Sequence, residues 1–349
     1  MSEVQKKYGD VAGEYAAVRE GGAGLIDLSS RARLIVSGSE AMPFLNGLVT
    51  NDVKALAEGR WMHAAFPNVQ GRLLASVRVL HRAGGFLIDV EAPAREAVVK
   101  TLSRFTLAGD FRLTEMTEEL TAFTVQGARA AEIVGEVLGQ DAAQAERGQI
   151  VEAVWQDESV SVIRATHTAE DGFDIFVGAA AATALWDALR LAGARPVGSE
   201  ALEILRVEAG LPRFGVDVTD NNVVLEAGLD EAVSFTKGCY LGQEIIARIH
   251  WRGHVAKRLA GLSLDEEPAV ENGAQVRSAE GKEIGRITST VFSIRLQKHI
   301  ALAIIKYDYL AAGTRVVVVA GERESAAQVV ELPFVRGSWY EASSASESV

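Results

Sequence analysis

The chain has a single cysteine among its 349 residues, Cys239, and its neighbours make it the first candidate for chemistry. It stands in "KGCYLGQE", Lys237 to Glu244, with Gly238 before it and Tyr240, Gly242, Gln243 and Glu244 after it. The thiolate is the nucleophilic form of cysteine. Cationic neighbours or a helix N-terminus lower a thiol pKa from about 8.5 to roughly 3.5–7.5. Lys237 puts a cation two residues away, and the glycines allow a backbone or ligand to approach closely. A small inert thiol at a tight turn fits the same residues, so both readings stand at this point.

The element that positions the thiol follows it. In "YLGQEIIARIHWRG", Leu241, Ile245 and Ile249 share a helical face with Ile246 beside them. Glu244 at one end and Arg248 and Arg252 at the other suit the helix dipole, and Gly253 suits a stop. Cys239 is therefore expected at or just before a helix N-terminus. The helix runs into a basic stretch, "ARIHWRGHVAKR", with Arg248, His250, Arg252, His254, Lys257 and Arg258 around Trp251. That pattern suits either a polyanion or planar-ligand surface or a solvated helix end and linker. His250 and His254 are four apart, but no glutamate follows the first and Gly253 intervenes, so no metal site is expected.

Composition narrows the classes. With 48% hydrophobic and 23% charged residues the chain has ample apolar content for a sizeable core. One cysteine excludes an intrachain disulfide framework and a tetracysteine metal site built by one chain, and fits a reducing, cytoplasmic setting. The net charge of −12 argues against direct nucleic-acid binding. No signal peptide is read at the start. The apolar stretch "IALAIIKYDYLAAGTRVVVVAG" is interrupted by Lys306, Asp308 and Arg315, so it reads as two buried strands rather than a membrane span. Walker-type, Gly-rich dinucleotide and GxSxG motifs are absent.

The elements alternate between strand and helix in an α+β pattern. A helix ending in the cluster Gly21, Gly22 and Gly24 comes first, then the strand "ARLIVSGS", then a helix with Ser39 as its expected N-cap. Three strands with Gly turns, the helix "APAREAVVKTLSRFTLAG" and two short strands follow. From about residue 127 helices and strands alternate again. After about residue 259 short strands with turns predict a small all-β barrel or sandwich. The tail "EASSASESV" is expected to be disordered.

Several stretches together resemble one family. "LRVEAGLPRFGVDVTDNNVVLEAGLD", "GLIDLSSRARLIVSG", "FLNGLVTND" and "EDGFDIFVG" are similar to the glycine-cleavage T-protein (aminomethyltransferase) superfamily. "GRITSTVFSIRLQKHIALAII" resembles its C-terminal barrel, and "KGCYLGQE" resembles the signature of its YgfZ-type folate-binding branch. The resemblance implies a three-domain ring of two ferredoxin-like α+β units and a barrel. Residues 1–50 and 145–250 would form a discontinuous folate-binding domain, 51–144 the second, 251–340 the barrel and 341–349 the tail. It implies tetrahydrofolate or a one-carbon derivative as cofactor, with Glu170 and Arg206 on the pterin and Cys239 at the same pocket or its mouth. It also implies a role in iron–sulfur cluster assembly or repair, with client or carrier proteins as partners and an indirect link to tRNA modification. One departure bears on activity. Aminomethyltransferases carry an acidic pair after an Asn-x-Gln-Gly turn; here "NVQGRLLASV" puts Ala75 and Ser76 at those places, and neither can act as a carboxylate base. Two other expectations remain: an aminomethyltransferase, and a non-catalytic module that docks a partner or a folate tail on the basic stretch.

Overall fold

The computed structural model describes residues 5–104, 109–265 and 272–344. Helix α1 (Val11–Arg19) starts on Asp10, whose carboxylate accepts a hydrogen bond from the Gly13 N–H. Then come β1 (Gly24–Asp27), β2 (Ala32–Ser37), α2 (Ala41–Leu48), the meander β3 (Arg60–Pro67), β4 (Leu73–Arg82) and β5 (Gly85–Val90), and α3 (Arg95–Ser103). Next are β6 (Arg112–Glu115), β7 (Leu120–Gln126), α4 (Ala130–Leu138), the short α5 (Gln140–Ala143), β8 (Ile150–Trp155), β9 (Glu158–Arg164) and β10 (Gly172–Gly178). Helix α6 (Ala179–Leu191), β11 (Arg195–Val197), α7 (Ser199–Glu208) and α8 (Gln243–Arg252) lead to β12 (Lys257–Leu264), β13 (Gln275–Ser278), β14 (Glu283–Ser293), β15 (Lys298–Lys306), β16 (Arg315–Ala320) and β17 (Arg323–Val330), and α9 (Ser338–Ser344) ends the described chain.

The architecture is α+β with a closed barrel. One sheet has the order β11-β1-β7-β10-β9-β8, a second β3-β4-β5-β2-β6, and β12 to β17 close into a six-stranded barrel. Strand alternation explains how the sheets stack, since successive side chains point to opposite faces. In the first sheet Leu25, Val125, Val162, Phe173 and Ile175 face α4 and α6 in one core. The intervening Ile26, Ala122, Ile163 and Phe176 face the second sheet, where they meet Trp61, Leu80 and Leu87. The far face of that second sheet, with Leu34, Ala64, Ala75, Val77 and Ile88, packs on α2 and α3. Two sheets thus lie face to face with helices outside both. The barrel has its own apolar interior and leans on α7 through β14 and β15.

Three sequence readings differ from this. Ser39 does not cap α2: Glu40 is the cap residue, and Ser39 gives both its N–H and its hydroxyl to the Asp110 carboxylate, which outcompetes the helix start. Strand β2 belongs to the second sheet and β7 to the first, so the sheets divide the chain near residues 28–32 and 115–120 rather than at 50 and 144. Pairing of β7 with β1 and β10 is the reason, and no local pattern encodes it. Of the tail, Glu341–Ser344 completes α9, and 345–349 lie outside the described residues.

Candidate functional site

The inner faces of the two sheets are apolar at one end and charged at the other. On the second sheet, Arg78 of β4 stands opposite His63 of β3 and opposite Asp89 of β5, and Ser76 stands opposite Ala65. Directly opposed residues share a face, so His63, Ser76, Arg78 and Asp89 all look toward the first sheet. From that sheet Asp174 of β10 comes to meet them. Arg78 donates to Asp89 Oδ2 at 2.7 and 2.9 Å and is paired with Asp174. Asp174 also lies 3.0 Å from His167 Nε2, and Arg31 pairs with Asp89 at 2.8 Å.

Charge inside this network is set by a contest between burial and pairing. Burial pushes Asp89 upward, but Arg31 and Arg78 outweigh it and hold the carboxyl below its ordinary range. Burial likewise pushes Asp174 up, and Arg78 and His167 reverse the sign. His63 has no such partner. It keeps contact with solvent yet is walled in by protein, and desolvation, with Arg78, His167 and Arg31 adding to it, lowers its pKa to about 4.

A cavity of about 340 Å³ opens onto this network. Its polar wall includes Asp27, Arg31, Glu91, His167, Glu203 and Arg206, with Arg213 at its edge, and its apolar wall includes Leu28, Pro93, Leu202, Leu211 and Pro212. A few convergent polar groups on an apolar lining are the usual composition of a small-molecule site. A larger groove of about 740 Å³ is lined by Arg95, Glu115, Glu118, Glu119 and small hydroxyl residues, and contains none of the groups above.

Arg206 reaches the cavity wall, but its guanidinium is saturated. All five N–H donors are placed: Nε and one Nη2 N–H on Glu203, the Nη1 pair on Leu211 O and Asp217, and the last on Ser289 Oγ. Glu170 lies elsewhere, in a junction between units. Its Oε1 pairs with Arg19 at 2.7 Å, and Oε2 accepts from the N–H and hydroxyl of Ser338 at 2.9 and 2.6 Å. Arg19 continues to Glu208, which also accepts from Tyr15 and Ser293. The chain end is fastened over Glu170: Trp339 N–H bonds Ala169 O, and the Arg147 guanidinium lies 3.7 Å from the Trp339 ring centre. Glu170 and Arg206 therefore serve different networks and do not converge.

The Lys237–Glu244 segment forms a second locus. Cys239 is exposed, sits three residues ahead of Gly242, the N-cap of α8, and does not line the cavity. Lys237 is buried, and its ammonium donates to the carbonyls of Asn46, Val49 and Asn51 at 2.7, 2.9 and 2.7 Å. These carbonyls belong to the end of α2 and the turn after it, where a helix lacks intrahelical partners for its last C=O groups. Burial lowers the Lys237 pKa to about 8. The ammonium also lies 5.0 Å from the ring centre of Tyr240, whose phenol is pushed up to about 12 by burial. Gly242 has φ +76, and a Cβ there would lie 2.3 Å from Asn68 O, so both conformation and space require glycine.

The basic stretch does not act as one unit. His250 stacks on Phe235 at 3.6 Å, His254 stacks on Tyr307 at 3.7 Å, and Arg258 pairs with Asp230. Among the described residues no group of three His, Cys, Asp or Glu side chains is placed to hold a metal ion, and no helix is long and apolar enough to cross a membrane.

His63, Arg78, Asp89, Glu91, His167 and Asp174 were not singled out from sequence. A signal existed: "GFLIDV", "SVRVL" and "GFDIFVG" each carry one charged residue at a buried step of an apolar strand.

Comparison with known proteins places these features. Residues 3–237 match the family model of the GCVT N-terminal domain, and residues 257–336 match that of the glycine cleavage T-protein C-terminal barrel domain. An aminomethyltransferase of Rubrobacter xylanophilus is 32% identical over 335 residues, covering 96% of this chain and 88% of that protein. One of Geobacillus kaustophilus is 30% identical over 341 residues, covering 96% and 93%. The crystal structure of glycine cleavage system aminomethyltransferase T from Bartonella henselae matches with a TM-score of 0.85 over 93% of this chain and 90% of that one, at 25% identity.

Proposed function

Because the chain belongs to the glycine cleavage T-protein family, we propose that it binds tetrahydrofolate in the cavity beside Arg31 and His167 and has given up aminomethyl transfer. The observation that carries this reading is the inner face of the β3–β4 hairpin. Transfer needs a carboxylate at the place after the Asn-x-Gln-Gly turn, and here Ala75 is turned into the helix-side core while Ser76 faces inward. A hydroxyl at that place cannot take up a proton or balance an iminium charge as a carboxylate does. The carboxylates nearby, Asp89 and Asp174, are both tied to Arg78. Their pKa is held down by that pairing, which makes their carboxylates poor bases at neutral pH.

The "KGCYLGQE" segment supports placing the protein in the YgfZ-type branch, an accessory of iron–sulfur cluster assembly or repair that supports tRNA modification indirectly. In this reading folate occupies the cavity and the exposed Cys239 thiol meets a client or carrier protein at the surface. The experiment has two arms. Titration with tetrahydrofolate is expected to saturate, and incubation with a methylamine-loaded lipoyl carrier is expected to yield no methylenetetrahydrofolate. Turnover in the second arm would restore aminomethyl transfer, the reading favoured by the activity of the named relatives. For the accessory role, a Cys239→Ala chain that binds folate is expected to fail to restore iron–sulfur enzyme activity in cells lacking the protein. Full rescue would remove the thiol from the function.

A further inference from the structure

We propose that Glu91 is the carboxyl that reads the hydrogen-bonding edge of the cavity's ligand, and that this edge is a planar heterocycle with adjacent N–H donors, as a 2-amino-4-oxo pteridine presents. The inference rests on the folate reading above and deepens it, by moving recognition of the head group from Glu170 to Glu91.

Glu91 follows β5 directly and continues its inward alternation, Leu87, Asp89, Glu91. It therefore projects toward the network that Asp89 enters. The next residues turn into a short 3₁₀ segment, Ala92–Ala94, which brings Pro93 onto the cavity wall beside it. One Glu91 oxygen, Oε2, accepts from the Phe214 N–H at 3.1 Å. Among the described residues Glu91 has no ion-pair partner, although three arginines stand around it. Each arginine is committed elsewhere: Arg31 to Asp89, Arg206 to Glu203 and Asp217, and Arg213 to Glu203. Burial accordingly raises the Glu91 pKa in spite of Arg31, Arg213 and Arg206, which pull it down. A carboxyl in that state has spare acceptor capacity, and a donor-bearing ligand would relieve its desolvation.

Two competing carboxylates are spent, Glu203 and Glu170. Glu203 holds Arg206 and Arg213. Asp27 also lines the cavity and, among the described residues, keeps one oxygen open, the other accepting from the Ser29 N–H of its own loop, so Asp27→Asn is the control that Glu91 must exceed. Glu170 does not line the cavity, and its two oxygens are held by Arg19 and Ser338. Packing closes it further, since a Cβ on Gly337 would lie 2.4 Å from Glu170 Oε1. The apolar residues Leu28, Pro93, Leu202, Leu211 and Pro212 leave a lining suited to the faces of a flat ring.

The test uses the full chain and three probes: tetrahydrofolate, 2-amino-4-oxopteridine as head alone, and p-aminobenzoylglutamate as tail alone. Glu91→Gln keeps an acceptor for the Phe214 N–H and removes a buried ionisable group, so it is expected to fold. It is expected to weaken tetrahydrofolate and the pteridine at least about tenfold while leaving the tail fragment unchanged. Glu91→Asp, which keeps the carboxyl and shortens its reach, is expected to weaken the same two probes. Glu170→Gln, scored on folded protein, is expected to keep wild-type affinity. Wild-type binding with unchanged Glu91→Gln and Glu91→Asp affinities overturns this inference alone. Loss in Glu170→Gln with both Glu91 variants intact returns the role to Glu170. No saturable binding by the wild type overturns the folate reading and the inference with it.

Discussion

Replacing Lys237 by methionine removes one charge and leaves its stem, so it isolates what the buried ammonium does. Three carbonyls lose a charged donor at 2.7–2.9 Å. Hydrogen bonds to a charged group contribute about 1.5–3 kcal/mol each, which gives a gross loss of roughly 5–9 kcal/mol. Against this stands the cost of keeping the ammonium out of water. The fall from 10.5 to about 8 corresponds to a desolvation penalty on the order of 3 kcal/mol, returned when the charge is deleted. The net expectation is a destabilisation of about 2–6 kcal/mol. Urea unfolding at pH 7, followed by tryptophan fluorescence, measures it. Local consequences accompany it, because Lys237 fastens the loop before α8 to the end of α2. Amide exchange at Ser234–Gly242 is expected to accelerate more than exchange in the barrel. A Lys237→Met chain within about 0.5 kcal/mol of wild type, with unchanged exchange in that loop, would refute the clamp and free Lys237 to serve Cys239.

Four other outcomes follow from the same geometry. Glu91 has a raised folded pKa, so the native state binds more protons and its contribution to stability falls as pH rises above the unfolded value of about 4.3. Glu91→Gln is therefore expected to be more stable than wild type at pH 7.5 and to converge with it near pH 4, measured as urea midpoints. Ser338→Ala removes a 2.6 Å bond to Glu170 and the acceptor for the Asp171 N–H, and is expected to cost about 1–3 kcal/mol in the same assay. Gly242→Ala must hold φ +76 with a Cβ against Asn68 O, and is expected to lower the thermal midpoint by several degrees, whereas Gly238→Ala, with open space around its Cβ position, is expected to change it little. Cys239 is expected to react with a maleimide in the native protein without added denaturant; protection until unfolding would contradict its exposed placement.

Much of the fold was legible because strands alternate and helices carry caps. The meander β3–β5 and the barrel were readable from short apolar runs and Gly turns. Sheet membership was not, because β2 and β7 look alike locally and differ only in partners 46 or more residues away. Strand β11 is three residues long with Pro196 at its centre, a pattern that reads as loop. The site divides in the same way. Cys239 and Lys237 were visible as a motif, but the direction of the Lys237 ammonium depends on α2, nearly 200 residues earlier. Glu170 and Arg206 were visible through resemblance, while their saturation by Arg19, Ser338, Glu203 and Asp217 depends on segments far apart in sequence. The polar network was missed because a lone charge in an apolar strand looks like a surface residue until the opposite sheet is known.

The octapeptide can now be separated into parts that the fold requires and parts that it does not. Lys237 fills the open end of α2, and Tyr240 is buried against it. The Leu241 N–H bonds Gly47 O, and Gly242 presses on Asn68 and Gly71 of the β3–β4 turn. Each of these roles fixes a residue type: a cation, a large ring, a glycine. No comparable demand falls on position 239, whose side chain is exposed. Gly238 has nothing within 4 Å of a Cβ position, so packing does not exclude larger residues there. The segment is thus a rigid mount, tied on one side to α2 and on the other to the hairpin that carries His63, Ser76 and Arg78 toward the first sheet. Packing accounts for the mount and leaves the thiol unexplained. Cys239 is held outward on a braced loop and does not line the cavity, so the proposed client-facing role asks nothing of it that this placement denies, whereas chemistry inside the cavity would.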